Sequence, residues 1–122
     1  MLKMAKVLIM LLRLTWLVGI VLGVLVSTGR GLPLLSSHIG LGFTVAALLL
    51  LLSIFGMARQ YYPLGIVGVI CAILLPVIGL KQFPLKFGSA LGAVQIAHIV
   101  IALASIGVAE ALNARLKRSA AA

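Results

Sequence analysis

Four long apolar stretches constrain this chain more than any other feature. Hydrophobic residues make up 64% of its 122 residues, charged residues only 9%, and the mean hydropathy is +1.35. A soluble domain carries about 25% charged residues, and a helix needs about 20 apolar residues to cross a bilayer. We therefore predict an all-α integral membrane four-helix bundle. It would form a single transmembrane domain over residues 1–122, with spans at about 5–27, 33–58, 63–80 and 89–112.

The first stretch also has features of a secretory signal peptide, since Lys3 and Lys6 precede its apolar run. That run, residues 7–26, is longer than a signal h-region, and no small-residue cleavage site follows it. We expect this segment to be retained as a helix.

Turn residues separate the stretches. Pro33 follows a glycine-rich turn and is expected to open the second helix, because proline is tolerated at a first helical position. Tyr61 and Tyr62 lie in the short second connection, where tyrosines favour the lipid headgroup level. Residues 81–88 form the third connection. Short connections make successive helices antiparallel.

The distribution of basic residues predicts the orientation. With four spans, both termini lie on one side of the membrane, and that side also holds the connection between the second and third spans. The basic residues assigned to this side are Lys3, Lys6, Arg13, Arg59, Arg115, Lys117 and Arg118. Those assigned to the other side are Arg30, Lys81 and Lys86. The excess places the N and C termini in the cytoplasm, as in a multi-pass protein of a bacterial-type inner membrane. Contacts with anionic lipid heads explain the formal charge of +9, so we expect the lipid bilayer, and no nucleic acid, as a partner.

Each predicted helix has one face on which residues recur every three or four positions, and most of these residues are small or polar. On the fourth these are Gly88, Gly92, Gln95, His98, Ala102, Ser105, Ala109 and Asn113. The second carries His38, Gly42, Val45, Leu49, Leu52 and Gly56, the third Gly65, Gly68, Ala72, Pro76 and Gly79, and the first Gly19, Gly23 and Ser27. Small residues let helix backbones approach, and polar side chains bond across the gap. These faces are expected to meet at the centre of the bundle.

Several kinds of chemistry are excluded by the residues present. The chain has no aspartate, and Glu110 is its only acidic residue, which rules out paired-carboxylate catalysis and a Ser-His-Asp triad. Cys71 is the only cysteine, so neither an internal disulfide nor a cysteine-rich metal site can form. We do not expect an enzyme that works on its own.

Arg13 and Glu110 both lie near the cytoplasmic ends of their spans. If the first and fourth helices touch, the two can form a structural ion pair that makes both charges tolerable in lipid. In the alternative interpretation, Arg13 extends to the headgroups and Glu110 meets Arg115 or interfacial water.

The two histidines suggest a cofactor. At 1.5 Å per residue, His38 lies about 7 Å and His98 about 13 Å from the outer ends of two parallel spans. Tilt and uncertain helix ends can absorb the difference. Two facing imidazoles can ligate a haem iron from both sides, an arrangement suited to electron transfer. Gly42 would leave room for the flat macrocycle, and Gln95 or Ser37 would orient an imidazole.

This layout resembles the small four-helix transmembrane b-type cytochromes, including the haem-bearing anchors of succinate dehydrogenase-like complexes. The likeness rests on four helices and on the segments Ser37-His38-Ile39-Gly40-Leu41-Gly42 and Gln95-Ile96-Ala97-His98-Ile99. It implies one haem b, with His38 and His98 as iron ligands. The chain has one histidine pair where the larger cytochromes have two, so a second haem is not expected.

A second reading of the chain needs no cofactor. His38 lies close enough to the interface to be a headgroup-level residue, and His98 with Gln95 can act as hydrogen-bonding contacts between helices. The protein would then be an accessory or assembly subunit among other membrane protein subunits. A chlorophyll ligand, a metal site and a transporter are further alternatives. Transport is disfavoured because no helix is broken and one acidic residue is present.

Overall fold

A computed structural model describes residues 2–82 and 89–121 of the protein. The chain forms four α-helices, α1 (Leu2–Ser27), α2 (Leu35–Ala58), α3 (Tyr62–Leu80) and α4 (Ser89–Ala121). Each is long and apolar enough to cross a membrane. The prediction of an all-α four-helix bundle is thereby confirmed. Lys86 and Gly88 lie outside the described residues.

Two predicted helix ends are wrong. Pro33 does not open α2, because it lies in a 3-10 turn over Leu32–Leu34. The Leu34 amide donates to the Gly31 carbonyl at 2.8 Å and closes that turn, in which the missing amide of proline costs nothing. The fourth helix continues to Ala121 where 112 was predicted. Its apolar stretch ends, but the alanine, leucine, lysine and arginine residues that follow are all good helix formers.

The helices pack in a ring, and each contacts the next along the chain while α1 also contacts α4. Across the ring, the α2 and α4 backbones approach closely, whereas those of α1 and α3 stay further apart within the described ranges. The bundle therefore has one short diagonal. The two helices that carry the histidines lie on it.

Glycines allow the closest helix contacts. A Cβ on Gly68 of α3 would collide with the Ser53 hydroxyl of α2, and one on Gly56 of α2 would lie 2.6 Å from Leu112 Cδ2. Ser53 itself is buried and donates to the Leu49 carbonyl at 2.7 Å. As expected for membrane helices, small residues let these backbones approach.

Packing density differs between the two ends of the bundle. All four helices contribute buried residues to one end, which we call the closed half: residues 2–12, 45–75 and 102–116. The rest of the bundle, residues 13–44, 76–82 and 92–101, we call the open half. Within it, Gly31 is the one buried residue among those whose side chains the structure describes. Both histidines lie in the open half, just beyond the closed core.

The turn between α2 and α3 lies at the end of the bundle furthest from the histidines, in the closed half. Gln60 adopts a left-handed φ of 70°, and the Tyr61 and Gln60 amides donate to the Gly56 and Met57 carbonyls at 3.0 and 2.9 Å. This pattern is the Schellman motif that ends many helices. The Tyr61 hydroxyl then donates to the Arg115 carbonyl at 3.2 Å and ties the turn to α4.

The close contact at Gly68 gives a testable prediction. Gly68→Leu should destabilise the bundle by about 1–3 kcal/mol, the usual cost of overfilling a packed interior. Gly107→Leu on α4 is the matched control, because nothing lies within 4 Å of a Cβ there. Unfolding in mixed detergent micelles, followed by circular dichroism, measures the difference. Equal stability of the two variants would contradict the packing described here.

Candidate functional site

The structure brings the two histidine rings together. His38 is in the first turn of α2 and His98 is near the middle of α4, yet their ring centroids lie 6.3 Å apart at an interplanar angle of 81°. The depth difference estimated from sequence is thus absorbed by helix placement. Both rings are partly buried.

His38 is held in place by α1. Its Nδ1 lies 2.9 Å from the Gly19 carbonyl oxygen, and a Cβ on Gly23 would lie 2.9 Å from its Cε1. Because a carbonyl can only accept a hydrogen bond, Nδ1 must carry the proton. The lone pair is then on Nε2, the nitrogen left for a metal. Gly23 has no side chain, which lets the ring lie against the α1 backbone.

His98 rests against α3 in a similar way. A Cβ on Gly79 would lie 2.9 Å from its Cε1. The Leu75 backbone lies close to the ring, but among the described residues no partner meets the geometry of a hydrogen bond with its buried Nδ1. In α1, the residues next to the His38 ring are Gly19 and Gly23, four positions apart. In α3, the residues next to the His98 ring are Leu75 and Gly79, which have the same spacing.

The ring spacing suits one shared metal ion. With about 2 Å from a metal to an imidazole nitrogen and about 1 Å from that nitrogen to the ring centre, two imidazoles on one ion have centres about 6 Å apart. The observed 6.3 Å agrees with this separation. No cluster of three or more His, Cys, Asp or Glu side chains occurs in the described parts of the chain. A haem needs only two protein ligands, since its macrocycle supplies the other four nitrogens.

Gly42, one helical turn from His38, has an open Cβ position. It lies on the face of α2 that leads to buried Val45 and Leu49. Nothing lies within 4 Å of a Cβ built on Gly42. This inward-facing glycine therefore borders open space rather than a packed neighbour.

A role for Ser37 or Gln95 in orienting an imidazole stays a prediction. Ser37 is exposed, and Gln95 makes no hydrogen bond to either ring within the part of the chain that the structure describes. At His38 the Gly19 carbonyl of α1 orients the ring. The sequence assigns Gly19, Gly23 and Gly79 only to helix packing, since a carbonyl contact leaves no trace in residue type.

A layer of apolar residues separates the site from the closed core. Val45, Leu75 and Ala102 form a buried cluster, and Trp16 packs against it. The Trp16 indole donates to the Ala102 carbonyl at 2.8 Å. Sequence analysis missed this residue, although a lone tryptophan within a span signals an N–H that needs an acceptor.

Arg13 and Glu110 form an ion pair between α1 and α4. Nε and Nη2 of Arg13 donate to Oε1 and Oε2 of Glu110 at 2.5 and 2.7 Å. The side chains remain 48% and 41% exposed, so the pair lies on the outer surface of the bundle. Two parallel charge-assisted bonds are the strongest form of such a pair. Their opposite charges cancel, so neither helix presents a lone ion at this point of its surface.

Comparisons of the chain with protein-family models, curated proteins and solved structures found no match.

The ion pair predicts a non-additive response to mutation. Arg13→Leu should lower the melting temperature in detergent, because Glu110 loses both of its hydrogen-bond donors. Combining it with Glu110→Leu should restore much of the loss, because no lone charge then remains. Differential scanning fluorimetry of the wild type, both single variants and the double variant measures the coupling. Strictly additive shifts would show that the pair contributes no coupling.

Proposed function

We propose that this protein is a membrane-embedded, b-type cytochrome-like electron-transfer subunit that binds one haem b between His38 and His98. The observation that carries the proposal is the 6.3 Å separation of two nearly perpendicular imidazole rings. That separation suits a single iron ion between them. Bound in this way, haem supplies one-electron transfer, because two histidines fill both axial positions and leave none for oxygen.

The surrounding residues support the proposal in three ways. The Gly19 carbonyl fixes the tautomer of His38 that leaves Nε2 available. The Cβ position of Gly42 has no neighbour within 4 Å, and we place one edge of the macrocycle there. The apolar cluster next to Trp16 lies between the site and the closed half. A low-dielectric environment of this kind tunes the reduction potential of a haem.

The proposal includes the membrane and the orientation. The four apolar helices would cross a bacterial-type inner membrane with both termini in the cytoplasm, as the basic residues indicate. The open half would then face the outer side. Electrons would enter or leave there through other membrane protein subunits, or through a carrier outside the membrane.

Absorption spectroscopy tests the proposal directly. Protein purified in mild detergent from haem-sufficient cells should be coloured, with a Soret band that shifts on reduction. His38→Ala and His98→Ala should each abolish the six-coordinate, two-histidine spectrum, because each removes one axial ligand. A colourless, folded protein that takes up no added haem would refute the proposal. If that colourless protein co-purifies with larger chains, the accessory-subunit interpretation replaces the haem proposal.

The open space at Gly42 gives an independent test. Gly42→Phe should leave the helices folded, because nothing lies within 4 Å of its Cβ, but should prevent haem from binding by filling the space. Gly107→Phe is the matched control, since its Cβ position is equally free and lies in the closed half. The readout is the haem-to-protein ratio after haem titration. Equal haem contents in the two variants would exclude a haem beside Gly42.

A further inference from the structure

The Arg13–Glu110 pair is on the outer surface of the bundle, yet it lies far from both ends of α1. At 1.5 Å per residue, Arg13 is about 16 Å from the start of α1 at Leu2 and about 21 Å from its end at Ser27. A hydrocarbon layer about 30 Å thick, crossed by a helix of this length, leaves about 8 Å of the helix uncovered in total. Wherever that layer is placed along α1, the pair therefore lies about 8 Å or more inside it.

The pair leaves N–H groups of Arg13 without a partner. An arginine side chain has five N–H donors, and the Glu110 carboxylate accepts two of them. In the parts of the chain that the structure describes, Arg13 has no other hydrogen-bond acceptor. The Glu110 carboxylate has more company, because Asn113 and Lys117 of α4 also lie close to it. A half-exposed guanidinium at this depth thus keeps free donors on the outer surface, where acyl chains offer no acceptor.

A second copy of this chain offers the matching acceptor. Most homo-oligomers are twofold-symmetric dimers, and two copies inserted in the same direction are related by an axis along the membrane normal. Rotation by 180° about that axis keeps each residue at its height and reverses the direction from α1 to α4. Arg13 of each copy then faces Glu110 of the other. A lipid phosphate cannot take this place, because it stays at the membrane surface, about 8 Å or more from the pair.

We propose that the outer face of α1 and α4 around Arg13 and Glu110 is the interface of a parallel, twofold-symmetric homodimer, in which the two ion pairs form one cluster of four alternating charges. This inference rests on the membrane setting of the proposed function and not on haem. Met10 and Leu17, one turn before and one turn after Arg13, are 65% and 56% exposed and would pack around the cluster. Charge-assisted bonds enclosed in this way fix the register of an interface.

Energy transfer between labelled copies in phosphatidylcholine vesicles, over a series of protein-to-lipid ratios, measures dimerisation. The wild type should dimerise. Arg13→Leu combined with Glu110→Leu leaves no lone charge but removes the bonds between copies, so the dissociation constant should rise at least about 10-fold. Arg13→Glu combined with Glu110→Arg exchanges the two charges and should dimerise as the wild type does. Circular dichroism and flotation with the vesicles check that every variant is folded and inserted.

Mixing the wild type with the charge-exchanged variant shows whether the pairs face each other. In a hybrid dimer, Arg13 of the wild-type chain meets an arginine and Glu110 meets a glutamate. Like charges placed together oppose association, so hybrids should form at least about 10-fold less readily than either homodimer. Hybrids at the frequency of random mixing would overturn the inference, and so would a wild type that stays monomeric at every protein-to-lipid ratio.

A matched pair of variants tests which face is used. Leu17 of α1 and Ile70 of α3 are each about half exposed. Leu17→Trp adds bulk beside the charge cluster and should weaken the dimer, whereas Ile70→Trp should leave it unchanged. The reverse result would place the interface on α3 and overturn the inference.

The outcomes separate the two claims. The double leucine variant should bind as much haem as the wild type, because the ion pair lies on the outer surface of the bundle. A colourless wild type that dimerises would end the haem proposal and support the dimer. A haem-loaded monomer would overturn the dimer and leave the proposed function intact. Wild-type protein that does not float with the vesicles would refute the membrane setting and, with it, both claims.

Discussion

Burial of two imidazole rings in an apolar bundle is the constraint on which the rest of the site depends. Polar groups among apolar side chains need partners, because such surroundings offer none. The backbones of α1 and α3 meet this need only in part. They give His38 a carbonyl acceptor and give both rings a glycine surface to lie against. The result is two rings whose centroids lie 6.3 Å apart, with their planes nearly perpendicular.

The uneven packing of the bundle makes this arrangement possible. In the closed half, glycines and small polar residues bring the helices into close contact, and Leu49, Leu52 and Leu112 fill the centre. In the open half, the same four helices bury almost nothing that the structure describes. The closed half can hold the helices in register while the open half keeps space between them. The short α2–α4 diagonal then brings the two histidine rings together in a nearly perpendicular arrangement.

Much of this architecture follows from the sequence because hydrophobic length and helical spacing are local properties. The four helices, the small inward faces and the proximity of Arg13 to Glu110 could all be inferred from them. The start of α2 could not, because a 3-10 turn over Leu32–Leu34 competes with helix initiation at Pro33. The end of α4 could not be inferred either, because the residues that follow the apolar stretch still favour a helix.

The details of the site were harder to predict for a different reason. Gly19, Gly23 and Gly79 belong to faces of small residues that normally indicate helix packing. Their role at the imidazoles depends on the rotation of neighbouring helices and on main-chain atoms common to every residue type. Trp16 left a clearer signal, its unpaired indole N–H, but the acceptor at Ala102 is 86 residues away in the chain.

Low-temperature electron paramagnetic resonance of the oxidised, haem-loaded protein tests the central claim most directly. This spectrum reports which axial ligands the iron has and how their planes are oriented. We predict a low-spin ferric signal of iron with two imidazole ligands whose planes are nearly perpendicular, as the two rings are here. A high-spin signal, or folded protein with no haem signal after loading, would contradict it.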